Sequence, residues 1–457
     1  QRVSLYFLLC LENGHSKYCI DMKINLKNLL IVAMALTLSS APDAAFAQDK
    51  ARYESIVKEL SDPSYFGRSR TNKGIDRTRE YIINNLNPAA SYQLQEFSYP
   101  MNLFEGKIEV YADGKKLENF KDYVVKEFST GKRGTYKVFY LPEEYYNQQK
   151  FYDFLNKKEF QNAFVVLDFD LFRKKFFRNN IETYETFLTY DNYVNSIGKL
   201  TDVGGIIFSQ KGRPVAFKAR AHYTFPFPVL IVNEDFGKEV KEIYVDIESE
   251  FVPKHNAANI AAWLPGKIDN GKHKIIIAHM DHLGLFGKEN IVCGANDNAS
   301  GVAMALTLLD YYAKEENRPN ESLMFLFVDG EEGNLLGSIH YVANPLKPLE
   351  DCSYLINLDM VGDTGPKLIY QVSEEDEPLF KNLNKKGRYF KGLIRENLND
   401  DSDHFPFAMN GVKYLYLAVD GVNKQNYYHS PLDTYENFSS VCYERLFNLV
   451  VDYIKNK

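Results

Sequence analysis

With 457 residues, 45% of them hydrophobic and 25% charged, the chain is long enough for two or three domains with a sizeable core, and its composition is not that of a disordered polypeptide. A net charge of −7 and the lack of any long basic run argue against nucleic acid as a partner. The 32 Tyr and 32 Phe stand against a single Trp, Trp263, a bias that ordinary core packing accounts for.

A second plausible start lies at Met22. Lys23 and Lys27 give a positive region, Leu29 to Leu36 an apolar one, and Ala45-Phe46-Ala47 a small-x-small cleavage pattern before Gln48. Residues 22–47 therefore read as a secretory signal peptide, and residues 1–21 as a misplaced upstream start. The apolar stretch is too short for a membrane span, so none is expected after signal removal. The expected location is exported, periplasmic or extracellular. From Gln48 onward the chain keeps Cys293, Cys352 and Cys442, an odd number that leaves at least one thiol free, and no C-x-x-C pair that could form a zinc ribbon.

Residues 51–61 and 73–86 show apolar positions at helical spacing (Ile56, Leu60; Ile75, Tyr81, Ile82, Leu86), with a polar loop beginning at Gly67-Arg68 between them. From about Tyr99 to Glu250 the texture is short β-like runs, among them Tyr136–Tyr140, Ala163–Leu167, Gly205–Phe208 and Val229–Val232. After Pro253, continuous apolar runs at Ile275–Ala278, Leu323–Val328, Tyr354–Leu358 and Tyr414–Leu417 predict strands buried on both faces of a parallel sheet. Ser300–Tyr312 predicts a helix with Val302, Leu306 and Leu309 on one face, and Val441–Ile454 a terminal amphipathic helix. The alternation implies an α/β fold, a mixed and mainly parallel sheet with helices on both faces.

Five segments end such runs with metal-ligand types of residue: His279-Met280-Asp281, Asn296-Asp297-Asn298, Asp329-Gly330-Glu331-Glu332, Asp359-Met360 and His429-Ser430. Ligands collect outside the carboxyl ends of parallel strands, and His279, Glu331 and Asp359 each follow a predicted strand. An imidazole, three carboxylate sites and a second imidazole suit a pair of divalent cations such as zinc. Each segment alone has a plainer reading. His279 is a hydrogen-bonded histidine beside Asp281, Asp297 a helix N-cap, Glu331-Glu332 a solvated acidic turn, and Asp359 a backbone cap. His404 and His429 compete for the last ligand position, and spacing does not choose between them.

Taken together and in order, these motifs resemble the di-zinc peptidases of metallopeptidase family 28, from about Asn256 to the C terminus, and the helical opening with its Gly-Arg loop resembles the family's start. The resemblance implies two zinc ions per chain: His279 and Asp359 on one, Glu332 and His429 on the other, with Asp297 bridging. It implies Glu331 as general base, Asp281 orienting His279, and His404, in a Ser-Asp-His segment, facing substrate. The chain departs from the family's pattern at Asn296 and Asn298, where further acidic residues often occur. Residues 105–251 resemble a protease-associated domain inserted into a peptidase domain formed by 48–104 and 252–457. The implied activity is an aminopeptidase acting on peptides. A carboxypeptidase or dipeptidase of the same family is an alternative that needs a basic pocket. So is a glutaminyl cyclase, which uses one zinc and a similar Asp-Gly-Glu-Glu segment; here Gly333–Ser338 continues as in the peptidases.

Overall fold

Two eight-stranded sheets make up most of Tyr53–Lys457, one of them nested between two neighbouring strands of the other. The computed structural model describes residues 4–13, 16–25, 41–146, 150, 154–155, 157–177, 203–215, 223–236 and 239–457. Gln1–Arg52 forms a separate unit in which β1 (Ser4–Asn13) pairs antiparallel with β2 (Ser16–Asn25). The apolar run of the expected signal peptide, Leu29 to Leu36, lies outside the described residues. Among the described residues no helix is long and apolar enough to cross a membrane.

After the helices Ala41–Leu60 and Gly74–Asn84, β3 (Ser91–Leu103) opens the larger sheet. The chain then leaves it for β4 (Ile108–Ala112), β5 (Lys115–Lys116), β6 (Tyr123–Val125), β7 (Lys132–Tyr140), β8 (Phe164–Asp168), β9 (Gly205–Gln210), β10 (Val229–Asn233) and β11 (Glu242–Ile247). These form a sheet of their own in the order β5-β4-β11-β7-β8-β9-β10-β6. The apolar runs of the sequence are its central strands, and Val165, Ile207 and Ile231 are fully buried in its core.

β12 (Glu250–Leu264) returns to pair antiparallel with β3, Glu250 opposite Leu103. The remaining strands are β13 (His273–His279), β14 (Gly284–Phe286), β15 (Asn290–Val292), β16 (Ser322–Val328), β17 (Cys352–Leu358), β18 (Lys367–Val372), β19 (Gly392–Arg395) and β20 (Tyr414–Asp420). The large sheet runs β19-β18-β20-β17-β13-β16-β12-β3, and β20, β17, β13 and β16 are mutually parallel. Those four strands carry the continuous apolar runs because helices cover both faces; Ile276, Phe325, Ile356 and Leu415 are almost wholly buried. Each such side chain contributes about 1.5–3 kcal/mol relative to exposure.

The helix Ser300–Ala313 is buried on every side as far as Leu309, not along one face as its spacing suggests, because it lies between the parallel strands and the terminal helix Tyr443–Asn456. That terminal helix is amphipathic, burying Leu446, Val450 and Tyr453. Cys293, Cys352 and Cys442 are buried, and none is in a disulfide.

Candidate metal centre

The carboxyl ends of the four parallel strands converge on one point. His279 is the last residue of β13; Asp329-Gly330-Glu331-Glu332 leaves β16, Asp359 follows β17, and the segment after β20 leads through Tyr428 to His429. Asp297 arrives from the turn Ala295–Ala299 that starts the buried helix. His279, Asp297, Asp329, Glu332, Asp359 and His429 are buried, whereas Glu331 and Tyr428 keep partial exposure.

Asp297 is the centre of the arrangement. Its Oδ1 lies 3.2 Å from His279 Nε2, and its Oδ2 lies 3.2 Å from His429 Nε2. On the first side, Asp359 Oδ1 is 3.5 Å from the same His279 nitrogen. On the second, Glu332 Oε2 is 3.2 Å from His429 Nε2. Two donor sets therefore share one carboxylate, and of the two competing histidines it is His429 that reaches them. Glu331 Oε2 stands 4.0 Å from His279 Nε2, beside the first set.

The backbone around Asp297 is held from several directions. Asp433 accepts the N–H groups of Asn296 and Asp297 at 2.9 and 3.0 Å. Asn298, not Asp297, takes the capping role, its Oδ1 accepting the Gly301 N–H at 2.9 Å. The two asparagines that replace expected acids stitch this turn to the Asp359 loop. Asn298 accepts from Met360 N–H and donates to Leu358 O, and Asn296 accepts from Gly362 N–H at 2.8 Å. A carboxylate at position 298 could not make the donating bond.

Asp281 orients more than His279. The histidine's Nδ1 faces the Asp281 backbone oxygen at 3.2 Å, whereas the Asp281 carboxylate accepts the N–H groups of Glu331 and Glu332 at 3.1 and 3.3 Å. His404 is not brought into the cluster. Its ring is fully buried, with Nε2 2.8 Å from Gln371 Oε1 and Nδ1 3.5 Å from Asn357 Nδ2. It connects to the site through Asn357, which donates to Ser402, which donates in turn to Asp359 Oδ2 at 2.7 Å.

His282 escaped the sequence reading. Its Nδ1 lies 2.5 Å from Glu332 Oε1, and it forms a third possible donor group with Asp297 and Glu332. The signal was present as a second histidine one residue beyond Asp281, three after a strand-end ligand. Arg68, noted only as part of a polar loop, is wholly buried beneath the centre.

Charge is balanced among these groups. Burial opposes the proton on His279, but Glu331, Asp297 and Asp359 outweigh it and push the ring well above its ordinary pKa. His429 is likewise raised to about 10, by Glu332 and Asp297 against burial. Burial raises Glu332 and Asp297, yet His429 and His282 bring the first down to about 2, and His282, His279 and His429 hold the second well below the carboxylate range. Glu331 goes the other way: burial, reinforced by Glu332, Asp403 and Asp359, pushes it well above the usual value.

The donors fit a divalent metal. In the groups His279–Asp297–Asp359, His279–Glu331–Glu332 and His282–Asp297–Glu332, imidazole nitrogens and carboxylate oxygens lie within 4.8 Å of one another, the ligand types zinc takes. Among the described residues Asp359 Oδ1 is buried with no hydrogen-bond partner while facing His279. A cation there satisfies an acceptor that burial otherwise penalises.

Comparison with known proteins places this geometry. Residues 259–454 match the profile of Peptidase family M28. Over 234 residues the chain is 26% identical to a vacuolar membrane protease of Kluyveromyces lactis, covering 49% of this chain and 23% of that protein; it spans less than a quarter of the curated relatives it matches. A zinc aminopeptidase from Bacillus subtilis is similar in structure at 16% identity, with a TM-score of 0.64 over 89% of this chain and 94% of that one. An aminopeptidase from Aneurinibacillus sp. strain AM-1 superposes with a TM-score of 0.61 at 18% identity, over 89% of this chain and 92% of the other. Those likenesses establish a shared fold, and the match to Peptidase family M28 runs from within β12 into the terminal helix, spanning every strand end that carries a candidate ligand.

Proposed function

We propose that the chain is an exported metallo-exopeptidase that removes the N-terminal residue of peptides, using two zinc ions and Glu331 as general base. The observation that supports this best is the pair of 3.2 Å approaches from the two oxygens of Asp297 to His279 and His429. In this reading His279, Asp297 and Asp359 hold one ion, and Asp297, Glu332 and His429 the other. Bound zinc supplies Lewis acidity toward a carbonyl oxygen and acidifies water.

The chain's own residues do the rest. Glu331, held by its backbone N–H on Asp281, takes a proton from the attacking water and delivers it to the leaving amine nitrogen. A carboxyl kept high by burial is matched to both halves of that task. The substrate's free ammonium group is received among Glu331, Asp359 and Asp297, which limits attack to the first residue. His404 supports Asp359 through Asn357 and Ser402. The inserted sheet, as a protease-associated-like domain, shapes the approach to the site. Export rests on the signal-peptide pattern of residues 22–47.

One observation favours a second reading. Arg213, in the insert, donates from Nη2 to the Tyr428 backbone oxygen at 2.7 Å, beside the ligand His429, and its Nη1 is buried without a hydrogen-bond partner among the described residues. A guanidinium at that place suits a terminal carboxylate, as a carboxypeptidase or dipeptidase requires.

Incubation with aminoacyl chromogenic substrates, their N-acetylated forms, N-acetylated dipeptides and a peptide with N-terminal glutamine, with and without chelator, tests both. Cleavage confined to free-amine substrates and lost on chelation supports the aminopeptidase. Turnover of acetylated dipeptides alone sinks it in favour of the second reading, and cyclisation of N-terminal glutamine sinks both.

A further inference from the structure

Beneath the candidate ligands lies a cation that the reaction does not use. The segment Phe66-Gly67-Arg68 adopts three successive positive φ angles of 48°, 58° and 49° and drives the Arg68 side chain fully into the interior. Gly67 is required there, since a Cβ would meet Val292 O at 2.3 Å. The guanidinium then donates four hydrogen bonds, all to backbone oxygens: Nε to Met280 at 3.0 Å, Nη1 to Leu60 at 3.2 Å and Cys293 at 2.6 Å, and Nη2 to Asp297 at 2.9 Å.

Three of those acceptors belong to the site. Met280 lies between His279 and Asp281, Cys293 enters the Asp297 turn, and the last is the carbonyl of Asp297 itself. With Asp433 on its N–H, Asp297 is gripped at both ends of its backbone. Burying a guanidinium with no ion-pair partner is strongly unfavourable, and among the described residues Arg68 forms no ion pair. The carboxylates of Asp297, Asp433 and Asp281 oppose the effect of burial and favour its charge. A chain that needed only to join the helix Ala41–Leu60 to the strand ends could do so with apolar contacts.

We propose that Arg68 is a positioning residue for the metal centre: its planar fork fixes the backbone of Asp297 and the end of β13 so that both histidines meet the shared carboxylate. The idea rests on the reading of His279, Asp297, Asp359, Glu332 and His429 as ligands. Lysine cannot replace the fork, because its ammonium offers three donors from one point rather than a rigid plane.

The test is zinc affinity of the full chain, measured by competition with a chromophoric zinc chelator, alongside thermal melts of the metal-free protein. Arg68→Lys and Arg68→Met are expected to melt cooperatively yet bind zinc at least ten-fold more weakly. Zinc affinity equal to the parent's in Arg68→Lys, even with a lower melting temperature, overturns the proposal and leaves Arg68 a purely structural residue. Should neither variant fold, Asp433→Asn loosens the same Asp297 peptide from its N–H side, and unchanged zinc affinity there overturns it as well. If the unaltered protein binds no zinc, the ligand reading itself fails and the proposal falls with it, a result distinct from equal affinities.

Discussion

Asp281 holds Glu331 by its backbone: the Oδ1 of the aspartate accepts the Glu331 N–H at 3.1 Å while its other oxygen takes the N–H of Glu332. The residue two positions beyond His279 thereby sets the turn that carries the proposed base. In Asp281→Asn one acceptor becomes a donor facing a donor. The expected result is a 10- to 100-fold loss of kcat/KM. Full activity in that variant removes Asp281 from the machinery.

Glu331→Gln keeps shape and removes the proton acceptor. A fall in kcat of roughly 10²–10⁴-fold is expected with zinc content unchanged, because the proposed reading makes Glu331 the base and not a ligand. Steady-state kinetics with metal analysis decides it; a variant that loses zinc as well shows Glu331 to be a ligand.

Removal of metal exposes the cost of the cluster. Asp297, Glu332 and Asp359 are buried together and rely on histidines or a cation for compensation. Zinc at about a hundred-fold excess over its Kd stabilises by about 2.7 kcal/mol per site, so chelation is expected to lower the melting temperature and zinc to restore it. Identical melts with and without chelator argue against a bound ion.

His255 gives an acid-side dependence away from the ligands. It is buried against Tyr99, and burial, with Arg70 and Arg79 nearby, lowers its pKa from 6.5 to about 4. The folded state thus prefers the neutral ring. The stabilisation is complete above pH 6.5 and is lost as pH falls from 6.5 through about 4, on the order of 3 kcal/mol in all. His255→Phe is expected to flatten that limb when stability of the metal-free protein is followed against pH. An unchanged slope assigns the acid sensitivity elsewhere.

Much of this was legible in the sequence for physical reasons. Strands buried on both faces must be continuous apolar runs, so Ile275–Ala278 and its three counterparts stand out, and ligands at strand ends follow from the parallel sheet. Spacing alone could not pair His429 with Asp297, since a residue far along the chain is placed by tertiary packing that leaves no periodic trace; the family resemblance was what implied it. Arg68 was hidden more completely. Its partners are backbone carbonyls, which carry no residue identity, so nothing at positions 60, 280, 293 or 297 advertises the contact. His282 was visible, three residues beyond His279, but was not singled out.

The pairing of Leu103 with Glu250 has a consequence for how this molecule can vary. The whole inserted sheet hangs between two residues facing each other across one strand spacing, about 5 Å. Cut there and rejoined by a tight turn, β3 and β12 become an ordinary hairpin, and the sheet carrying the ligands keeps every one of its strands. The inserted sheet thus enters and leaves through one hairpin, yet its hydrophobic core extends onto Leu283, Phe286 and Val292, so it is packed against the segment between β13 and the Asp297 turn. Through Arg213, which donates to the Tyr428 backbone oxygen at 2.7 Å, the insert also reaches the segment that carries His429, so a change in one is felt in the other.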